Sequence, residues 1–465
     1  MKKTLAVVLG LCSAVALAAL DRVPDTKIAP TTVVLISIDT LRADAVSFMG
    51  CEAPTSPFLD SLASSGVIFD RAYSTSSWTV PAMASIFTSR YPSSHGVVRG
   101  EIIGGKTKEV WRQTSLSPEL PTLAEIFRGA GYRTVGVAAN RHMQVGSGFE
   151  LGFDHYYGYA GFLNAEDLNA TLEKTMAAAF GDEWKKTWRD EKTFLWIHYF
   201  DPHHPYFPRE PWIEVFDPEF RTRPDLFPWR LKAPELNAAF SADDTEMTRR
   251  LLALYHSEVR YADEQLRSVW SDLGLDENAL VIFVSDHGEE FGERGKIGHR
   301  WTLYEELVHV PMFVSWPARL PRGKRVGDVV SVVDILPTMA ELASLSLPEH
   351  VEGRSLVDLI NGDSRSSGGI AYLELHPPNP ALRALVSDRW KLILASHNRA
   401  ELYDLRSDPG ERSDVSADHR KVAELLEARF NDWFRSLPEP PEAEDFSSRD
   451  RKDIEKLRAL GYVDE

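Results

Sequence analysis

The sequence predicts an α/β sandwich built around a mainly parallel β-sheet, with a smaller α+β unit behind it. Three observations carry this reading. Four apolar runs, TVVLISID (Thr32–Asp39), TVGVAAN (Thr134–Asn140), TFLWIHYFD (Thr193–Asp201) and ALVIFVSD (Ala279–Asp286), are nearly continuous in Val, Ile, Leu and Phe. Strands covered on both faces read this way, whereas half-exposed strands alternate. Helical stretches separate the runs, among them Leu120–Ala130 and Thr245–Leu273, the latter stopping before Gly274. After about Leu345 the pattern shifts to short strands joined by tight turns: IAYLEL, LRALVSDRWKLILA and RAELYDLRSDPGE.

At the N-terminus, Lys2 and Lys3 precede an apolar run from Leu5 to Leu20 with a small-residue pattern at Ala16-Leu17-Ala18. This is the layout of a secretory signal peptide, 1–20, which implies export to the periplasm or the extracellular space. If uncleaved, the run would tether the chain to a membrane, although it is short for a span. Leu11 before Cys12 argues against a lipoprotein anchor. Cys12 would leave with the signal, so Cys51 has no partner for an internal disulfide.

The expected organisation is a catalytic α/β domain over 21–345, a C-terminal α+β subdomain over 346–437 that ends in a helix from about Arg420 to Leu437, and an acidic tail over 438–465. The tail opens with the extended PEPPEAEDF connector and is expected to close as a helix that stops at Gly461. The 465 residues carry a formal net charge of −17 and no long Lys/Arg block. Nucleic acid is therefore excluded as the main partner, since phosphate contacts need a basic face. A small anionic substrate remains compatible, and no obligate protein partner is evident.

Strand ends are where α/β folds place their sites. Three of the four runs end in aspartate, at Asp39, Asp201 and Asp286, and Asp286 is followed at once by His287 and Gly288. Asp39, Asp286 and His287 together suit one divalent cation, with hard oxygens favouring Mg, Ca or Mn and the imidazole admitting Zn. Thr79 precedes Pro81 at the start of a helix whose apolar residues Met83, Ile86 and Phe87 share a face. Its hydroxyl reads either as a helix cap or as a nucleophile at the positive end of a helix dipole.

Taken together, these motifs resemble the sulfatase family of the alkaline phosphatase superfamily. DTLRAD, TSPFLDSLASSGVIFDRAYS, WTVPAMASIFTSRYPSSHGV, FDPHHPY, SDHGEEFGE, LYEELVHVP, DILPTMAEL and ELYDLRSDPGE occur in the family's order over nearly the whole chain. The resemblance implies an alkaline-phosphatase-like fold, with Asp39, Thr79, Asp286 and His287 around one divalent metal. It places Thr79 at the nucleophile position and His203 and His299 among the catalytic residues. Arg42, His198 and Arg300 are implied on the substrate. Thr40 falls where true sulfatases carry a second aspartate.

True sulfatases have Cys or Ser at the nucleophile, oxidised to formylglycine in a Cys/Ser-x-Pro-x-Arg frame. Here the frame is Thr79-Val80-Pro81-Ala82-Met83. The methyl group on the threonine β-carbon blocks conversion to that aldehyde, and Met83 replaces the arginine. This is similar to superfamily members that use an unmodified threonine, such as lipoteichoic acid synthases and phosphoethanolamine transferases. The expected activity is hydrolysis or transfer of phosphate or phosphonate esters, on a small anionic ester or an anionic glycan or lipid. The alternatives are a sulfatase working without formylglycine and a catalytically silent glycan- or lipid-binding relative.

Overall fold

The computed structural model describes residues 29–448 apart from 99, 104–109, 160, 223–234, 238–244, 276–277, 363–368, 377–380, 396–398 and 443–444. The expected signal peptide and the tail beyond Ser448, including its expected helix, lie outside the described residues. Eight strands form the main sheet: β1 (Thr32–Ile38), β2 (Val67–Tyr73), β3 (Arg133–Ala138), β4 (His155–Gly158), β5 (Thr193–Tyr199), β6 (Leu280–Ser285), β7 (His309–Ser315) and β8 (Lys324–Ser331). Their order is β8-β2-β7-β6-β1-β5-β3-β4, and only β7 runs against its neighbours. The sheet is mainly parallel, as the apolar runs predict, and the four runs are β1, β3, β5 and β6.

Those runs are continuously apolar because both faces of the sheet are covered. Along β1, Val33 and Leu35 join one core cluster, while Val34, Ile36 and Ile38 join another on the opposite face. Strands β5 and β6 divide in the same way, Trp196 and Ile282 on one side, Ile197 and Phe283 on the other. Helix α1 (Thr79–Thr88) packs on the first face through Val80, Met83, Ile86 and Phe87. Helices α2 (Ala165–Phe180) and α3 (Thr245–Leu273) pack on the second, through residues such as Leu168, Leu251 and Leu266.

Helix α3 spans the stretch expected as a helix, Thr245–Leu273. It ends at Gly274, whose φ of +57° is a left-handed conformation that glycine adopts without strain. The stretch expected as a helix over Leu120–Ala130 is shorter, Leu123–Gly129. Thr122 caps it, accepting from the Glu125 amide while the Glu125 carboxylate accepts the Thr122 amide, and this reciprocal pair fixes the start.

The C-terminal part holds a four-stranded antiparallel sheet of β9 (Ala371–Leu375), β10 (Leu382–Val386), β11 (Trp390–Ala395) and β12 (Arg399–Asp404), followed by helix α4 (Arg420–Ser436). Leu385, Leu392 and Leu402 meet Ala423, Leu426 and Phe430 of α4 in a cluster of their own. At the end of the connector, Asp445–Ser448 forms a strand that pairs antiparallel with Val110–Thr114. Among the described residues no helix is long and apolar enough to cross a membrane.

Candidate active site

Register brings the strand ends to one level. Ile38 of β1 pairs with Ser285 of β6 and with Tyr199 of β5, and Ala138 of β3 pairs with His198. The residues that follow, Asp39, Asp286 and Asn140, therefore emerge side by side at the carboxyl edge of the sheet. Asp39, Asp286 and His287 place ligand atoms within 4.8 Å of one another, all three fully buried. Gly288 is required by close approach: a Cβ there would lie 2.0 Å from the Glu306 carbonyl oxygen. Its carbonyl accepts from Nδ1 of His287 at 2.8 Å, which puts the proton on Nδ1 and turns the Nε2 lone pair toward the cluster.

Thr79 opens α1, and its hydroxyl points into this cluster. Oγ1 lies 3.1 Å from Nε2 of His287 and 3.4 Å from Oδ1 of Asp39. These are its only hydrogen bonds among the described residues, so the side chain does not cap the helix. His95, read from sequence as a turn residue, is buried beneath this turn. Its Nδ1 accepts the Val97 amide at 3.0 Å, and Nε2 lies 3.2 Å from the carbonyl of Pro81 and 3.2 Å from Ser85 Oγ. That arrangement braces the first turn of α1.

The donor set fits a divalent cation. Oδ2 of Asp286 is buried without a hydrogen-bond partner, and it lies 3.6 Å from the Nε2 lone pair of His287. Two buried carboxylates and an imidazole lone pair left this way lack a counter-charge. Burial and the neighbouring Asp39 push the Asp286 carboxyl up to about 6. Burial also opposes ionisation of Asp39, but His198 at 3.6 Å and the facing His203 and His287 outweigh it and hold this carboxyl well below the usual range. Thr40 holds a left-handed backbone, φ 52°, rare for a β-branched residue. That turn delivers its amide to Oδ1 of Asp286 at 3.1 Å, while its own hydroxyl is buried without a partner.

The remaining expected residues divide. The rings of His287 and His299 are 4.6 Å apart, and those of His299 and His203 are 5.0 Å apart, so both expected catalytic histidines border the cluster. Burial pulls His203 down to about 4 and His299 well below the usual imidazole value. Arg300 lies over the Trp78 ring at 4.4 Å, next to Thr79 in sequence, and donates to the Gly100 carbonyl.

Arg42 and His198, expected on the substrate, are held by protein partners. Arg42 has its guanidinium bound to Asp44 and Glu293, ion pairs of 2.7 and 2.6 Å, and to the carbonyl of Glu289. His198 is fully buried between Ser37, 2.9 Å from Nδ1, and Asp39, so it faces a cluster residue and not an open cleft. Asp201, the third strand-end aspartate, pairs with Arg209 at 2.5 Å and does not join the other two.

Sequence reasoning missed Asn140 and Glu289. Asn140 donates from Nδ2 to Oδ2 of Asp39 at 2.6 Å; the signal was its place at the end of the second apolar run. Glu289, fully buried, holds Nδ1 of His299 at 2.8 Å, and nothing in its local sequence marks it out.

The Sulfatase family model matches residues 31–345, and the model for the C-terminal part of N-sulphoglucosamine sulphohydrolase matches 292–435. An arylsulfatase of Clostridium perfringens is 24% identical over 454 residues, covering 82% of this chain and 89% of its own. The fold is similar to a phosphonate monoester hydrolase from Silicibacter pomeroyi, with TM-score 0.68 and 21% identity over 88% of this chain and 96% of that one. It is also similar to a protein solved with its substrate D-glucosamine-2-N,6-O-disulfate, with TM-score 0.65 and 16% identity over 89% and 100%. The matched family model covers well over half of the chain and contains every residue of the cluster around Thr79. The chain belongs to the sulfatase family of ester hydrolases and has its alkaline-phosphatase-like α/β fold.

Proposed function

We infer that this protein cleaves phosphate or phosphonate esters through the hydroxyl of Thr79. The observation that carries the reading is the position of that hydroxyl, 3.1 Å from His287 Nε2 and 3.4 Å from Asp39 Oδ1, at the opening of a buried helix. Oγ1 gives up its proton and attacks phosphorus, the bond from phosphorus to the alcohol oxygen breaks, and that oxygen takes up a proton as the alcohol leaves, so no net proton is gained or lost. Water then opens the phospho-threonine to release the acid, or a second alcohol takes the group in transfer. The free amides at the start of α1 favour the negative charge of the transferred group. His203 and His299 stand where the leaving oxygen would be met, and Glu289 keeps the His299 ring from turning.

Asp39, Asp286 and His287, with Thr79 beside them, are the residues that would hold a divalent cation. When bound, such an ion supplies Lewis-acid polarisation of the ester and favours the ionised hydroxyl. The threonine that cannot become formylglycine supports the choice of phosphorus. The deciding experiment compares p-nitrophenyl phosphate, bis-p-nitrophenyl phosphate, p-nitrophenyl phenylphosphonate and p-nitrophenyl sulfate on purified protein with added Mg, Ca, Mn or Zn. Turnover of the sulfate alone would overturn this reading.

A second reading, sulfate ester cleavage by the unmodified threonine, is favoured by the match to the sulphohydrolase C-terminal model and by the arylsulfatase relative. In either case the chain acts after export, as the signal-peptide pattern at Met1–Leu20 implies.

A further inference from the structure

Beside His203 lies a cleft of about 490 Å³. One wall is aromatic. Phe200 stacks on the His203 ring with centroids 4.4 Å apart and planes 24° apart, and Phe162 continues the wall 4.4 Å from Phe200. Phe207, 45% exposed, forms the outer edge, and its amide is fixed by a 2.7 Å bond to Oε1 of Glu258.

The acidic residues of the cleft and its arginine are tied to one another. Arg209 pairs with Asp201 at 2.5 Å and with Glu258 at 2.7 Å, and its guanidinium also lies 4.1 Å over the Tyr261 ring. Both carboxylates are buried, so two acids share one cation. Burial and the adjacent Asp201 push the Glu258 carboxyl well above its usual range. Arg209 is the only fixed cation among the described lining residues, and it is already matched by acid.

We propose that this cleft receives the alcohol portion of the substrate, that it takes an uncharged apolar group with a flat aromatic ring, and that it rejects an alcohol bearing a second anion. The first part follows from continuity: the aromatic wall ends on His203, whose ring is 5.0 Å from His299 at the edge of the Thr79 cluster. The second follows from the stacked rings, which offer a flat apolar face. The third follows from charge. A carboxylate or sulfate entering beside Asp201 meets like charge in a low-dielectric cleft whose arginine is committed. A polysulfated glycan is thereby disfavoured. The proposal rests on the reading that esters are cleaved at Thr79.

The test uses two phenyl methylphosphonate esters matched in leaving-group pKa, one neutral and one with a ring carboxylate. The wild type is expected to favour the neutral ester by about 10-fold or more in kcat/KM. Phe207→Ala should raise KM for the neutral ester roughly 5-fold with kcat unchanged, as loss of ground-state packing does. Asp201→Asn, which frees Arg209 for an incoming anion, should narrow the discrimination. Equal kcat/KM for the two esters, or an unchanged KM in Phe207→Ala, overturns the proposal.

A binding arm separates this outcome from failure of the catalytic reading. Saturation-transfer NMR compares phenol with 4-hydroxybenzoate on the intact protein. Phenol binding that disappears in Phe207→Ala supports the subsite even if no ester is turned over. Absence of phenol binding, or equal binding of both, rejects it.

Discussion

Asn140 donates its side-chain amide to Oδ2 of Asp39 at 2.6 Å, across the intervening strand β5. Asp39 is thereby pinned on one oxygen while the other faces Thr79 and His287. Partners of this kind orient a ligand, and losing them weakens metal affinity or activity by about 10- to 100-fold. Asn140→Ala is expected to lose activity in that range with secondary structure intact, read by steady-state kinetics and circular dichroism. Wild-type kinetics in Asn140→Ala would show that the bond is incidental.

Metal content should depend on the strand-end cluster. Asp286→Ala and Asp39→Ala are each expected to fall well below one equivalent of divalent metal after purification and dialysis, measured by plasma mass spectrometry. Circular dichroism should change little, because the sheet core beneath the cluster is apolar and separate. Unchanged stoichiometry in both variants rejects the assignment.

Thr79 carries the covalent step in the proposed reaction. Thr79→Ala should lose at least about 10³-fold in kcat while keeping its metal, as removal of a nucleophile does. Thr79→Ser should retain part of the activity because the hydroxyl survives. Acid-quenched wild-type enzyme should show a phosphoryl or phosphonyl adduct on the peptide containing Thr79. A fully active Thr79→Ala protein would reduce this residue to a helix-start threonine.

Lys391 of β11 is fully buried, with its ammonium 3.0 Å from Glu305 and 3.0 Å from Glu411. Glu305 precedes β7 of the main sheet, so this ion triad joins the C-terminal sheet to the catalytic one. Removing the cation leaves the buried carboxylate of Glu411 facing the part-buried one of Glu305. Lys391→Met is expected to cost about 3–5 kcal/mol of stability, measured by urea unfolding. A change below about 1 kcal/mol would show that water reaches the pair in its place.

Export is tested at the N-terminus. Protein recovered from a bacterial periplasm should begin between Leu17 and Asp21, by N-terminal sequencing. An intact Met1 in the membrane fraction would show that the apolar run is retained as an anchor.

Much of this architecture is written locally. A buried parallel strand must be apolar at every position, so β1, β3, β5 and β6 announce themselves, and the polar residues that end them mark the carboxyl edge where ligands bind. Helix α3 was equally legible because a long helical stretch runs without a breaker up to a glycine. Asp39, Asp286 and His287 stand out as polar residues at strand ends, and Thr79 through the resemblance to the sulfatase family. What the sequence could not assign was pairing. Arg42 and Asp201 carry the charges a substrate site needs, but only the folded chain sets Arg42 against Asp44 and Glu293, and Asp201 against Arg209. Glu289 and Asn140 gained their roles the same way, Asn140 by strand register across 101 positions of sequence. Strand and helix periods are short-range properties of the backbone, whereas the choice of partner for a charged side chain depends on which distant segments the core packing brings within about 3 Å.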